Sequence, residues 1–160
     1  MSPKAYALRI LNFRDRSEKE IREKLLLKGY TETDTEETLK YLKGAGFIDD
    51  YKLARNMLIY LDSAKKMGLR RVTDTLKRRG IPESVIEEML GVVMGDLQDE
   101  LSYGYTLEGE LAKAKILVQK KEENSLKNYP LRVKLNRLYG ILNRRGFGAE
   151  TIKQALKEVS

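Results

Sequence analysis

The chain has 160 residues, of which 34% are charged and 8% aromatic, and carries a net charge of +7. It contains neither Cys nor His, which excludes disulfide and thiolate chemistry and removes the commonest general base and metal ligand together. Leu, Lys, Glu, Arg and Ala dominate, so an all-α protein is expected. No apolar run reaches the roughly 20 residues of a membrane span, and no apolar leader core opens the chain. A cytoplasmic location with no membrane partner is the expectation.

In chain order, Ala5 to Phe13 carries Leu8 and Leu11 on one face and predicts the first helix. Ser17-Glu18-Lys19-Glu20 is a capping-box sequence, in which the hydroxyl takes the N3 amide and Glu20 reaches back. That helix runs to Lys28 and stops at Gly29. Thr33-Asp34-Thr35-Glu36 reads as a second capping box, starting a helix through Leu39 and Leu42 that ends near Gly44 and Gly46. Asp49 and Asp50 open the next helix, Tyr51 to about Ser63, with Asp49 as its start.

Between Lys65 and Pro82, Gly68 opens and Gly80 closes a short helix with Leu69, Val72 and Leu76 on a narrow apolar stripe. Pro82 begins a helix carrying Val85, Ile86, Met89 and Leu90, and Gly91 ends it. Residues 92–107 read as a connector, partly helical. A helix from Glu108 to Glu123 presents Leu111, Ala114, Leu117 and Val118. Pro130 opens another, ending at Arg145 before Gly146, with Gly140 inside it at a cost of about 1 kcal/mol relative to Ala. Ala149 to about Val159 closes the chain.

A repeat runs through these elements. Leu25 to Tyr30, Leu76 to Ile81 and Leu142 to Phe147 share a register: Leu four before a Gly, a base directly before it and a large apolar residue after it. Eight before the Gly stand Ile21, Val72 and Leu138, and ten after it Leu39, Leu90 and Leu156. The expected organisation is three tandem three-helix repeats, 1–46, 47–91 and 108–160, in an elongated or curved array. Ser17, Gly29, Asp49, Gly80 and Gly146 are read as structural.

Catalytic chemistry is not indicated. No phosphate-binding or dinucleotide fingerprint exists. Asp49-Asp50 suits a helix start better than a metal or acid/base pair, and Glu87-Glu88 and Glu122-Glu123 read as solvated faces. No enzyme activity, cofactor or metal is expected. Charge, by contrast, is sorted along the chain: residues 83–110 hold eight acids and no Lys or Arg. Lys65, Lys66, Arg70, Arg71, Lys77, Arg78 and Arg79 face only Asp74, and Arg132, Lys134, Arg137, Arg144 and Arg145 face no acid between Pro130 and Gly148. Some of this charge serves helix C-termini. Taken together, these twelve residues are the candidate surface for an anionic partner, because a guanidinium fork pairs with carboxylate or phosphate. Tyr6, Tyr30, Tyr41, Tyr51, Tyr60 and Tyr139 are read as packing residues.

The run Ala5, Leu8, Leu11, Arg14, Arg16-Ser17, Glu20-Ile21 and Lys24-Leu25 resembles the opening of the RecX family of bacterial recombinase regulators. Phe47-Ile48-Asp49-Asp50-Tyr51, Ala54-Arg55 and the series Lys66, Gly68, Arg71-Val72, Leu76, Arg79-Gly80-Ile81 are similar to the same family, as are Arg144-Arg145-Gly146-Phe147 with Ile152 and Leu156. The resemblance implies a monomeric helical-repeat protein that binds the groove of the RecA–DNA filament. It further implies restraint of ATP hydrolysis, strand exchange and SOS coprotease activity, with single- or double-stranded DNA as a further partner. The residues alone leave open a direct DNA-binding or architectural protein, or a helical adaptor unrelated to DNA.

Overall fold

The computed structural model describes residues 1–63, 66–94 and 107–159, and all regular structure among them is helical. Nine helices are described: α1 Pro3–Leu11, α2 Glu18–Leu27, α3 Glu32–Gly44, α4 Asp50–Ser63, α5 Leu69–Arg78, α6 Glu83–Met94, α7 Leu107–Asn124, α8 Leu131–Arg144 and α9 Ala149–Leu156. Lys65 and residues 95–106 of the expected connector lie outside the described residues. The chain forms two compact units, Met1–Met57 with Thr75–Met89 (unit 1) and Leu58–Asp74 with Leu90–Ser160 (unit 2).

In unit 1, α1, α2 and α3 close over Ala7, Ile10, Ile21, Leu25, Leu39, Leu42 and Ile48. Burying each Leu or Ile contributes roughly 1.5–3 kcal/mol, so the stripe at helical spacing, and not helix propensity, holds these short helices together. Ser2 caps α1 by accepting the Ala5 amide, ahead of Pro3 in the first turn. Ser17 and Glu20 form the reciprocal capping box on α2. Asp49 Oδ1 accepts the Lys52 amide at the start of α4, 2.9 Å away.

The expected box at Thr33–Glu36 is displaced. Thr31 is the N-cap, its Oγ1 accepting from the Asp34 amide, and Thr33 lies inside α3. The motif Thr31-x-x-Asp34 already offers a hydroxyl and an acid two residues earlier, where the backbone is still extended after Gly29. Thr35 is instead buried, and its hydroxyl has no hydrogen-bond partner among the described residues.

The repeated Leu–Gly–apolar register has a direct backbone meaning. Gly29, Gly80 and Gly146 take φ of +94°, +77° and +86°. The amide after each returns to the Leu carbonyl five residues earlier: Tyr30 to Leu25, Ile81 to Leu76 and Phe147 to Leu142, each at 3.2 Å. This is the Schellman C-cap, in which Gly supplies the left-handed residue and the apolar pair covers the last turn. Gly46 ends α3 in the same manner, with Phe47 donating to Leu42.

In unit 2, α7, α8 and α9 enclose Ala114, Leu117, Val118, Leu126, Leu138, Leu142, Phe147, Ile152 and Ala155. Phe147 is fully buried, so the residue that completes the third C-cap also anchors this core. Lys113 and Asp62 form a largely buried ion pair at 2.7 Å, and Glu110 accepts the Leu69 amide at the start of α5.

The tyrosine expectation is corrected for most of its members. Tyr6 and Tyr30 pack, their ring centroids 6.1 Å apart. Tyr41, Tyr51, Tyr60 and Tyr139 stand exposed. Leu and Ile fill the α1–α3 and α7–α9 cores, and a ring with a polar tip gains less there than a residue without a hydroxyl to satisfy.

Candidate functional site

The candidate cations divide into those that hold helix ends and those that do not. In unit 1, Arg79 directs Nε to Glu20 Oε1 at 3.2 Å and Nη2 to the Asp15 carbonyl at 2.9 Å. Arg14 reaches the same Glu20 carboxylate at 2.7 Å. The Ser17 hydroxyl donates to the Arg79 carbonyl at 2.6 Å, so the C-terminal end of α5 closes on the capped start of α2. A Cβ at Gly80 would lie 3.0 Å from both Ser17 Oγ and Lys19 Cβ. Burial works to raise the Glu20 pKa, but hydrogen bonds from Arg14, the Ser17 amide and Arg79 outweigh it and hold the carboxyl below its usual range.

In unit 2 the C-terminal end of α8 closes on the start of α5 in a comparable way. The Gly68 amide donates to the Arg145 carbonyl at 2.9 Å. Arg70 Nη2 donates to the Asn143 carbonyl at 2.8 Å and to its Oδ1 at 2.9 Å. A Cβ on Gly68 would stand 2.5 Å from the Gly146 carbonyl, and one on Gly146 would stand 2.4 Å from Arg71 Cβ. Two chain segments meet here at a distance that only glycine permits. In both units a carbonyl beside the C-cap glycine is satisfied by the N-cap residue of another helix, with a hydroxyl donor in one and an amide donor in the other.

Of the remaining α5 cations, Lys77 pairs with Glu83 at 2.6 Å, and Arg78 is exposed. Lys66 takes a left-handed conformation with φ of +47°. Helix α5 therefore uses much of its charge internally.

On α8, Arg132, Arg137 and Arg144 are exposed and form no ion pair with any described residue. Arg137 stands 4.3 Å over the Tyr129 ring. Arg144 crosses Gly140, its Nη1 lying 3.2 Å from where a Cβ would be. Lys134 and Arg145 belong to the same helix and its cap but are less exposed. The structure thus assembles Arg137 and Arg144 on one face of α8. It sets Arg70 and Arg71 where the start of α5 meets the end of α8, and Arg79 where the end of α5 meets the start of α2.

Sequence reasoning missed Glu20 as the acceptor for two arginines, Asp50 as acceptor of the Glu18 amide at 2.9 Å, and Tyr129 beneath Arg137. The capping box named Glu20 for a local role. Its partner 59 residues away left no local signal, and Tyr129 precedes the helix at a spacing no helical rule connects to Arg137.

Among the described residues no group of three or more His, Cys, Asp or Glu could hold a metal ion, and no helix is long and apolar enough to cross a membrane.

The model of a family described as RecX, first three-helix domain, matches residues 4–42. Regulatory protein RecX of Clostridium botulinum (strain Alaska E43 / Type E3) is 34% identical over 144 residues, covering 89% of this chain and 61% of the relative. Regulatory protein RecX of Clostridium beijerinckii is 30% identical over 161 residues, covering 99% of this chain and 68% of the relative. The chain therefore spans about three fifths of the length of the Clostridium botulinum relatives. A crystal structure of RecX from Lactobacillus salivarius superposes with a TM-score of 0.78 at 22% identity, covering 98% of this chain and 93% of the other, a likeness of fold.

Proposed function

The chain belongs to the RecX family, and from that premise we propose that it regulates the RecA recombinase, mainly as an inhibitor and without catalysis of its own. It binds the groove of the RecA–DNA filament as a monomer and restrains ATP hydrolysis, strand exchange and SOS coprotease activity. The repeats 1–46, 47–91 and 108–160 are the modules that address successive stretches of the filament. The observation that carries this reading is α8, on which Arg132, Arg137 and Arg144 stand exposed without a carboxylate among the described residues. Such charge attracts phosphate or an acidic protein face. The α5 arginines contribute less, because Arg70 and Arg79 already bond within their units.

The test is a titration of the chain into RecA-coated and naked single-stranded DNA, with RecA ATP hydrolysis followed in parallel. Tighter binding to the coated strand and a fall in hydrolysis are expected. The combined variant Arg132→Glu, Arg137→Glu and Arg144→Glu should lose inhibition while keeping its helical circular dichroism. Inhibition at wild-type concentrations would show that α8 is not the surface. Equal binding to naked DNA, falling steeply with salt, would favour the direct DNA-binding reading instead. Reversing Arg70, Arg71, Arg78 and Arg79 is a poorer test, because it also breaks the helix ends described above.

A further inference from the structure

Charge alone does not choose between an acidic protein and a nucleic acid, but the groups around it do. Asn136, Arg137, Gly140 and Arg144 line one side of α8 and, with Ser125, border an open depression of about 490 Å³. Gly140 leaves its floor free of a side chain, and the Arg144 guanidinium crosses that floor. The Arg137 guanidinium is braced on Tyr129, whose ring remains exposed. An acidic protein face would require cations only. Here the cations come with amide and hydroxyl donors that suit phosphate oxygens, and with a planar arginine–tyrosine pair on which a base can stack.

We propose that this notch binds a phosphodiester of single-stranded nucleic acid, Arg144 holding the phosphate and the Arg137–Tyr129 pair carrying the adjoining base. A duplex is a poorer ligand, because its base faces are occupied by one another. The assignment deepens the proposed function by giving α8 the strand and not the recombinase, and it rests on that reading for its biological setting.

The experiment uses the full chain without RecA. Fluorescence anisotropy compares a labelled oligothymidylate, an abasic strand of equal length and an oligoglutamate of equal charge at low salt. Oligothymidylate should bind about tenfold more tightly than the abasic strand, the effect of one stacked base. Arg144→Ala should weaken both strands about equally. Tyr129→Leu should weaken oligothymidylate alone, and Arg137→Lys should retain abasic binding while losing the preference for bases. Circular dichroism checks the fold, and Arg144→Lys serves if the alanine variant is unstable. Equal binding of the two strands, unchanged binding by Arg144→Ala, or oligoglutamate binding as tightly as oligothymidylate would each overturn the assignment. Strand binding with no effect on RecA hydrolysis would sink the regulatory reading and leave the notch standing; the reverse result would do the opposite.

Discussion

The ends of α2 and α8 share a local grammar and differ in what surrounds them. Both close through a Leu, a base, a left-handed Gly and an apolar residue, with φ of +94° at Gly29 and +86° at Gly146. Around Gly29 no described residue comes within 4 Å of a Cβ position, whereas at Gly146 the Arg71 backbone nitrogen lies 2.4 Å from it. One glycine is required by the backbone turn alone, the other by the turn and a neighbour together. A repeat in sequence thus preserves the cap, while the use made of it is decided by packing.

Gly146→Ala puts the largest strain on this comparison. It combines left-handed strain of about 1–2 kcal/mol with overpacking of about 1–3 kcal/mol, so thermal unfolding of the variant should fall by on the order of 10 °C. Glu20→Ala comes next. Arg14, Arg79 and the Ser17 amide lose a shared acceptor, an expected cost of about 1–3 kcal/mol by urea denaturation. Gly29→Ala should cost only the backbone strain, about 1 kcal/mol; a loss equal to that of Gly146→Ala would show that the two sites are not distinguished by packing. Arg144→Ala should leave stability within about 0.5 kcal/mol, because its side chain holds no helix end.

The two units also differ in their response to pH. Glu20 titrates below its usual value of 4.5 when folded. Its stabilisation is present above that value and lost as pH falls through the lower folded pKa. Glu110 is pushed the other way by burial, against the Leu69 amide and Lys113, which favour its charged form. The folded state then holds this proton more firmly, so Glu110 costs stability as pH rises from 4.5 through its raised value. Denaturation from pH 3 to 7 should show Glu20→Gln losing part of the wild-type rise with pH and Glu110→Gln gaining relative to wild type as pH increases. Slopes of the same sign would contradict the assignment.

Much of the fold was legible because its causes are local. The helical stripes, the box at Ser17 and Glu20, the acid at Asp49 and the Leu–Gly–apolar caps are read within a few residues of themselves. Thr33 was misread for the same reason: two overlapping Thr-x-x-acid patterns compete, and the extended backbone at Thr31 selects the earlier one. The candidate surface was legible only as a quantity of charge. Arg79 and Arg144 look alike in the chain, yet one meets Glu20 across 59 residues and the other meets a glycine one turn away on its own helix.

By itself, then, the amino-acid sequence determined an all-helical chain with capped ends, a repeated C-cap and a basic surplus, because periodicity, capping and net charge depend on neighbours within a turn or two. Tertiary structure alone decided which arginines close helix ends and which face outward beside Tyr129 and Gly140. Hydrogen bonds and close approaches between distant segments depend on where the packed core places them, and no spacing along the chain encodes that.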